Sequence, residues 1–186
     1  SLIIHVLRCF DNDNIVHVEG SVDPIRDKET IDIELQLKDL ETVEKRLEKV
    51  PRAAKAGDKV AQKELALLGR YREALLKGIS ARAVELSEEE QELSQSYQLL
   101  TAKPILYVCN VDEASAATGN KYVEAVREAV KNENAQVIVL AVATEADIAE
   151  LETYEERQLF LQDMGLDEPG ASVLIRAAYR LLNLQT

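Results

Sequence analysis

The chain opens on "SLIIHVLRCF", a nearly continuous apolar run that reads as a central strand covered on both faces. Asp11 to Asn14, "DNDN", is turn chemistry, because Asn and Asp tolerate the backbone conformations that turns require. "IVHVEGSVDPIRD" then reads as a loop or short strand, with Gly20 and Pro24 set against regular structure. From about Lys28 the spacing turns helical: Ile33, Leu37, Leu40, Val43, Leu47 and Val50 keep three- and four-residue steps, one apolar stripe with charge on the opposite face. "PRAAKAGD", Pro51 to Asp58, interrupts the pattern, and Asp58 is a sound N-cap for a second helix. Ala61, Leu65, Leu68, Tyr71, Leu75 and Ile79 form its stripe. Two stripes joined by a short connection predict an antiparallel helical hairpin, each helix hiding its stripe against the other.

Ser87-x-x-Glu90 is a capping box that starts a short helix through about Leu100. "KPILYVC" is a strand, Asn120 to Asn134 a helix with Tyr122, Val123, Val126 and Val130 on one face, and "AQVIVLAVA" a second apolar strand. Strand, helix, strand at this spacing is a βαβ unit, hence parallel sheet. Thr144-x-x-Asp147 resembles a cap for a turn of helix, and Thr153-x-x-Glu156 begins a longer helix ended by Gly165. Pro169 opens the last helix, which turns Val173, Leu174, Ala177, Ala178 and Leu181 inward. The fold class expected is α/β: part of a mostly parallel sheet with an antiparallel α-helical hairpin inserted between two of its strands.

Composition narrows the function classes. At 186 residues and 46% hydrophobic the chain can fill one good core beside a protruding element. Aromatics are 4% with no Trp, against a stacking platform for single-stranded nucleic acid. A formal charge of −12 argues against long-range attraction to a phosphate backbone, so DNA is not an expected partner, and any nucleic acid would need a local basic patch. The densest cationic group, Lys45, Arg46, Lys49, Arg52, Lys55 and Lys59, lies around the candidate hairpin turn. Cys9 and Cys109 sit in apolar strands as small hydrophobes, too few for a disulfide framework. No stretch has the apolar length of a membrane span and no secretory leader is visible, so a cytoplasmic location is expected.

The chemistry concentrates where "PILYVC" ends in Asn110-Val111-Asp112-Glu113. Open α/β sheets bind ligands outside the carboxyl ends of their strands, and an Asn there can offer its amide to a purine edge while tying loops together. In guanine readers an acidic residue three positions later accepts from two guanine donors at once. Glu113 is one methylene longer than the Asp that geometry needs, which weakens guanine discrimination and admits adenine. A second base-contacting loop should lie after the next parallel strand, at Ala141-Val142-Ala143, where small residues let backbone N–H groups approach a base. A plain strand-end turn is the competing reading. Triphosphate needs a Gly-rich loop with a Lys at a helix N-terminus, and no G-x-x-x-x-G-K-[ST] occurs in the chain.

Four segments, "HVLRCFDNDNIVHVEGSVDPIRDKETIDIELQLKDLETVEKRLEKV", "LLTAKPILYVCNVDE", "EADIAELE" and "MGLDEPGASVLIRAAYRLLNLQT", resemble the YchF/Obg-like ATPases, P-loop proteins of the Obg group. The resemblance runs over essentially the whole chain and covers the middle of the family protein. It implies a Ras-like G domain divided as 1–27, an inserted coiled-coil hairpin over 28–86, and the C-terminal part of the G domain over 87–186. It further implies a P-loop segment before Ser1, which would carry the Mg²⁺ ligands, and a β-rich TGS domain after Thr186, so that this piece alone hydrolyses nothing. Asn110, Val111 and Glu113 fall on the family's base-reading positions, with ATP preferred to GTP. Ala141, Val142 and Ala143 fall on its second base loop, although Ala141 lacks the polar side chain often found there. His17 matches the His assigned to orient the attacking water, a role neutral imidazole can fill; a half-buried strand His is the alternative. The family's ribosome association gives the basic tip Arg52, Lys55 and Lys59 a docking role, and a non-enzymatic scaffold for ribosome or protein partners is the rival to the ATPase.

Overall fold

The computed structural model describes residues 1–11 and 21–183; His17 lies outside them. The chain folds as two compact units, one of Ser1–Lys28 with Ile105–Thr186 and one of Glu29–Pro104.

The first unit is built on a three-stranded parallel sheet in the order β1 (Ile3–Arg8), β2 (Ile105–Asn110), β3 (Gln136–Leu140). The register pairs Leu7 with Cys109 and Arg8 with Asn110 on one side of β2, and Asn110 with Leu140 on the other. Alternation along the strands therefore sends Leu7, Ile105, Tyr107 and Cys109 to one face and Leu106, Val108, Ile138 and Leu140 to the other. Val123, Val126 and Val130 of α4 (Lys121–Val130) cover the first face, together with Ile25. Ala177 and Leu181 of α7 (Gly170–Asn183) cover the second, flanked by Val173, Leu174 and Ala178. Both helices present the three- and four-residue steps expected of them. The crossover through α4 carries the chain back so that β2 and β3 run parallel, and α5 (Val142–Glu150) and α6 (Tyr154–Asp163) lead from β3 to α7.

β1 departs from expectation. Ile4 and Val6 are 47% and 56% exposed, because α7 lies over β3 and β2, and among the described residues β1 pairs on one side only. It is not covered on both faces.

The second unit holds α1 (Pro24–Lys55), which starts in the first unit, then α2 (Lys59–Leu76) and α3 (Glu88–Gln95). Bonds from Gln36 to Gly78 and Ser80, and from Gln62 to Ala54, set α1 and α2 antiparallel. Pro24, expected to oppose regular structure, is the first residue of α1, where its missing N–H costs nothing. Pro51 does not end the helix either, which runs on to Lys55. The turn is made by Gly57 at φ +93°, with Asp58 N–H donating to Ala53 and Gly57 N–H to Ala54, the closure that frees the chain to reverse. Asp58 then caps α2 through Val60 and Ala61.

The stripe on α1 is corrected in its first half. Ile33 and Leu37 are 55% and 60% exposed, whereas Gln36 and Asp39 are buried. Asp39 accepts from the Leu100 and Thr101 amides at 2.8 and 2.7 Å and from the Thr101 hydroxyl at 2.6 Å, and Thr101 Oγ1 accepts from Ala81 N–H. Farther along, Val43 packs with Leu67, Leu68, Tyr71 and Leu75. Leu65 and Ile79, expected in the second stripe, are exposed, and Leu67 takes the inward place. The unit extends past the sequence-based boundary at 86 to Pro104, because Tyr71 meets Ser94 by hydroxyl contact, Tyr97 and Leu99 join the core, and Asp39 holds residues 100 and 101.

Candidate functional site: the carboxyl ends of β2 and β3

The second strand ends in Asn110 next to the end of β3, and hydrogen bonds lace these ends together. Val111 N–H donates to the Leu140 carbonyl at 2.9 Å, Cys9 N–H donates to the Asn110 carbonyl at 2.8 Å, and Val142 N–H donates to Asn110 Oδ1 at 3.0 Å. Val111 and Ala141 are buried, Asn110 is half-buried, and Glu113, Val142 and Ala143 are exposed. The structure thus brings Asn110 directly onto the 141–143 segment. Glu113 opens a short 3₁₀ turn, Glu113–Ser115, and makes no hydrogen bond to that segment among the described residues.

The loop after β3 differs from the cap expected at Thr144. Helix α5 starts three residues earlier, with Ala141 as N-cap; Thr144 is buried inside its first turn. Ala141 supplies no side-chain cap, so apart from the Val142 amide held by Asn110, the first-turn N–H groups lack a side-chain acceptor at the N-cap. With Oδ1 occupied, Asn110 has Nδ2 left to donate, and that group has no partner among the described residues.

Two supporting residues were not legible beforehand. Asn120 accepts at Oδ1 from Tyr122 and Val123 N–H, capping α4, and donates from Nδ2 to the Cys9 carbonyl at 2.7 Å, which ties the end of β1 to α4. Only its place before a helical pattern hinted at the cap. Glu145 accepts from Gly170 N–H at 2.6 Å and Ala171 N–H at 3.3 Å, bonds that span more than twenty residues of sequence.

Cys9 and Cys109 are fully buried at this end of the sheet. A hydrogen bond with the Cys109 thiol, reinforced by burial, pushes the Cys9 thiol well above its ordinary range, so it stays protonated. His5, in the sheet, stacks at a tilt 5.8 Å from Tyr107. No helix among the described residues is long and apolar enough to cross a membrane.

A parallel sheet with helices on both faces, a helical hairpin between its first two strands and an Asn amide joining two strand ends defines an α/β G domain with a helical insertion. Over nearly its whole length the chain is similar to proteins of the YchF family. It is 50% identical over 186 residues to the ribosome-binding ATPase YchF of Bacillus subtilis (strain 168), covering 99% of this chain and 50% of that protein. It is 47% identical over 182 residues to the protein of the same name from Escherichia coli O157:H7, covering 98% and 50%. The solved structure of the Schizosaccharomyces pombe YchF GTPase matches 98% of this chain and 50% of its own with a TM-score of 0.86 at 31% identity. The chain spans about half the length of these relatives. No protein-family model matches it.

Proposed function

We propose that this chain carries the purine-reading part of a nucleotide hydrolase of the YchF type that prefers ATP to GTP and associates with ribosomes. The observation that carries the reading is the bond from Val142 N–H to Asn110 Oδ1, which holds the two strand ends together and leaves Nδ2 to donate to a purine ring nitrogen. Backbone amides of Ala141, Val142 and Ala143 flank the base and need no side chain, so the loss of a polar group at Ala141 is tolerated. Glu113 stands where Asp would pair with both guanine donors. His17 orients the hydrolytic water in the intact protein. ATP is the substrate, and Mg²⁺ neutralises its phosphates when bound. Among the described residues no three His, Cys, Asp or Glu side chains gather to hold a cation.

The chain alone is expected to bind ATP only at millimolar levels and to hydrolyse none, since it holds no phosphate loop. Calorimetry on the full-length protein tests the site: Asn110→Ala should weaken ATP about tenfold, the loss of one well-placed bond and its tie. His17→Ala should slow turnover and leave affinity intact. An Asn110→Ala protein with undiminished ATP affinity sinks the base site.

A second reading, a docking scaffold working through the hairpin, draws on the tip. Arg52, Lys55 and Lys59 are exposed and have no ion-pair partner among the described residues, while Lys45, Lys63, Arg72 and Lys77 on the same helices are paired with Glu41, Glu89, Glu44 and Glu73. Unpaired cations on an acidic body suit a phosphate backbone such as ribosomal RNA.

A further inference from the structure

The loop that would face the base is held from behind by a group outside the base-reading motif. Val142 and Ala143 are exposed, so their side chains anchor nothing. Thr144 and Ile148 are buried and fix which way α5 is turned, but a small cavity of about 50 Å³ lies behind the loop, lined by Leu140, Ala141, Glu145, Met164, Gly170 and Val173 among others. Packing is therefore incomplete where the loop most needs support. The Glu145 carboxylate spans that gap: both oxygens accept amides of the first turn of α7, Oε1 from Gly170 at 2.6 Å and Oε2 from Ala171 at 3.3 Å, while Glu145 N–H donates to the Ala141 carbonyl at 3.0 Å. A negative charge at a helix N-terminus is favourable there twice over, as acceptor and against the helix dipole.

Gly170 is part of the same device. A Cβ built on it would stand 1.9 Å from Leu140 Cδ1 and 2.7 Å from Glu145 Oε1, so a larger residue there would have to push aside the Leu140 side chain and the Glu145 carboxylate that reaches the α7 amides. Between them, Asn110 holds the loop toward β2 and Glu145 holds it toward α7.

We infer that Glu145, seated against Gly170, is a positioning residue for purine binding: it fixes the 141–143 backbone where the base edge must meet it and touches no part of the nucleotide. The inference rests on the purine-site reading above. It predicts a defect confined to the base, because the phosphates are held elsewhere.

The test uses the full-length protein, with ATP hydrolysis and inhibition by inorganic tripolyphosphate as the base-free probe. Glu145→Ala should raise the KM for ATP about tenfold with kcat within about twofold, leaving the tripolyphosphate inhibition constant unchanged. Glu145→Gln keeps an acceptor for Gly170 N–H, loses the one for Ala171 N–H, and should fall between, at about threefold. Should the alanine variant not fold, the glutamine variant decides alone. A KM equal to wild type in the folded variants, or ATP and tripolyphosphate weakening together, overturns the role. If the wild-type protein itself binds ATP no better than tripolyphosphate, the purine-site reading has failed instead, and the two failures are told apart.

Discussion

Replacing Val142 with proline removes one proton donor and little else, which makes it the sharpest probe of the link between the strand ends. Val142 is the first residue of α5, where proline's fixed φ fits and its missing N–H is no loss to the helix. The preceding Ala141 sits at φ −95° and ψ 95°, in the extended region that a residue before proline favours. The valine side chain is 44% exposed, so its loss empties no core. What disappears is the 3.0 Å bond to Asn110 Oδ1. Losing a neutral hydrogen bond costs about 0.5–1.5 kcal/mol, and restricting the unfolded chain with proline returns about 0.4–1 kcal/mol. The two nearly cancel, so the melting temperature should move by less than about 3 °C, on the scale of about 2–4 °C per kcal/mol for a chain of this size. Purine binding should not be spared: with Oδ1 unpinned the Asn110 amide can rotate, and the KM for ATP in the full-length protein should rise about fivefold. Thermal unfolding and steady-state hydrolysis are the two assays. A melting point lowered by about ten degrees would mean that the bond is structural, and an unchanged KM would mean that it does not organise the base site.

Glu113→Asp shortens the carboxylate by one methylene and should raise the preference for GTP over ATP about tenfold, read from the ratio of the two kcat/KM values. Asp39→Ala strips three hydrogen bonds from a residue 2% exposed and leaves the Leu100 and Thr101 donors without acceptors, for a loss of about 3–5 kcal/mol in urea unfolding; Asp39→Asn, which keeps one acceptor, should lose about half as much. Reversing the charges of Arg52, Lys55 and Lys59 should abolish co-sedimentation with ribosomes and leave ATP turnover unchanged, and in the wild type the binding should weaken steeply with added salt. Ribosome binding that survives the reversal removes the hairpin tip from the interface.

How far an element could be read in advance depends on how local its cause is. The capping boxes Ser87–Glu90 and Thr153–Glu156 are both present, because every group involved lies within four residues. The apolar faces of α4 and α7 are as the spacing foretold, since each packs on a sheet whose own alternation matches it. The start of α1 was misread for the opposite reason. Gln36 and Asp39 look like solvent-facing residues until their partners, Gly78, Ser80, Leu100 and Thr101, arrive from forty to sixty residues away. Polar groups with fixed distant partners can displace Ile33 and Leu37 from the inward position, and no periodicity reports it. Proline misled twice, at Pro24 and Pro51, because its effect depends on distance from a helix end, which the sequence does not mark. At the site, Asn110 was legible as a strand-end amide; the part of its setting supplied by Glu145 and Gly170 was not, since it requires knowing that α7 begins against β3.

The relatives carry two different activity names, ATPase for the bacterial proteins and GTPase for the fission yeast one, and the geometry offers a reason why one scaffold can bear both. In the proposed site, a contact from the Asn110 amide nitrogen would be made to a ring acceptor such as N7 that adenine and guanine share, so it would supply affinity without choosing between the two. The choice falls to the group that meets the edge where guanine has two donors and adenine has none to match. At that position an Asp would reach both donors without bending, while Glu113 would have to fold its extra methylene back, giving up rotamer freedom for the same two bonds. The difference is on the order of 1 kcal/mol, or several-fold in affinity, and it can be outweighed by cellular nucleotide concentrations or by one neighbouring substitution. Under the proposed reading, nucleotide preference would therefore be a graded quantity set by one carboxylate's reach on a site whose main framework is backbone.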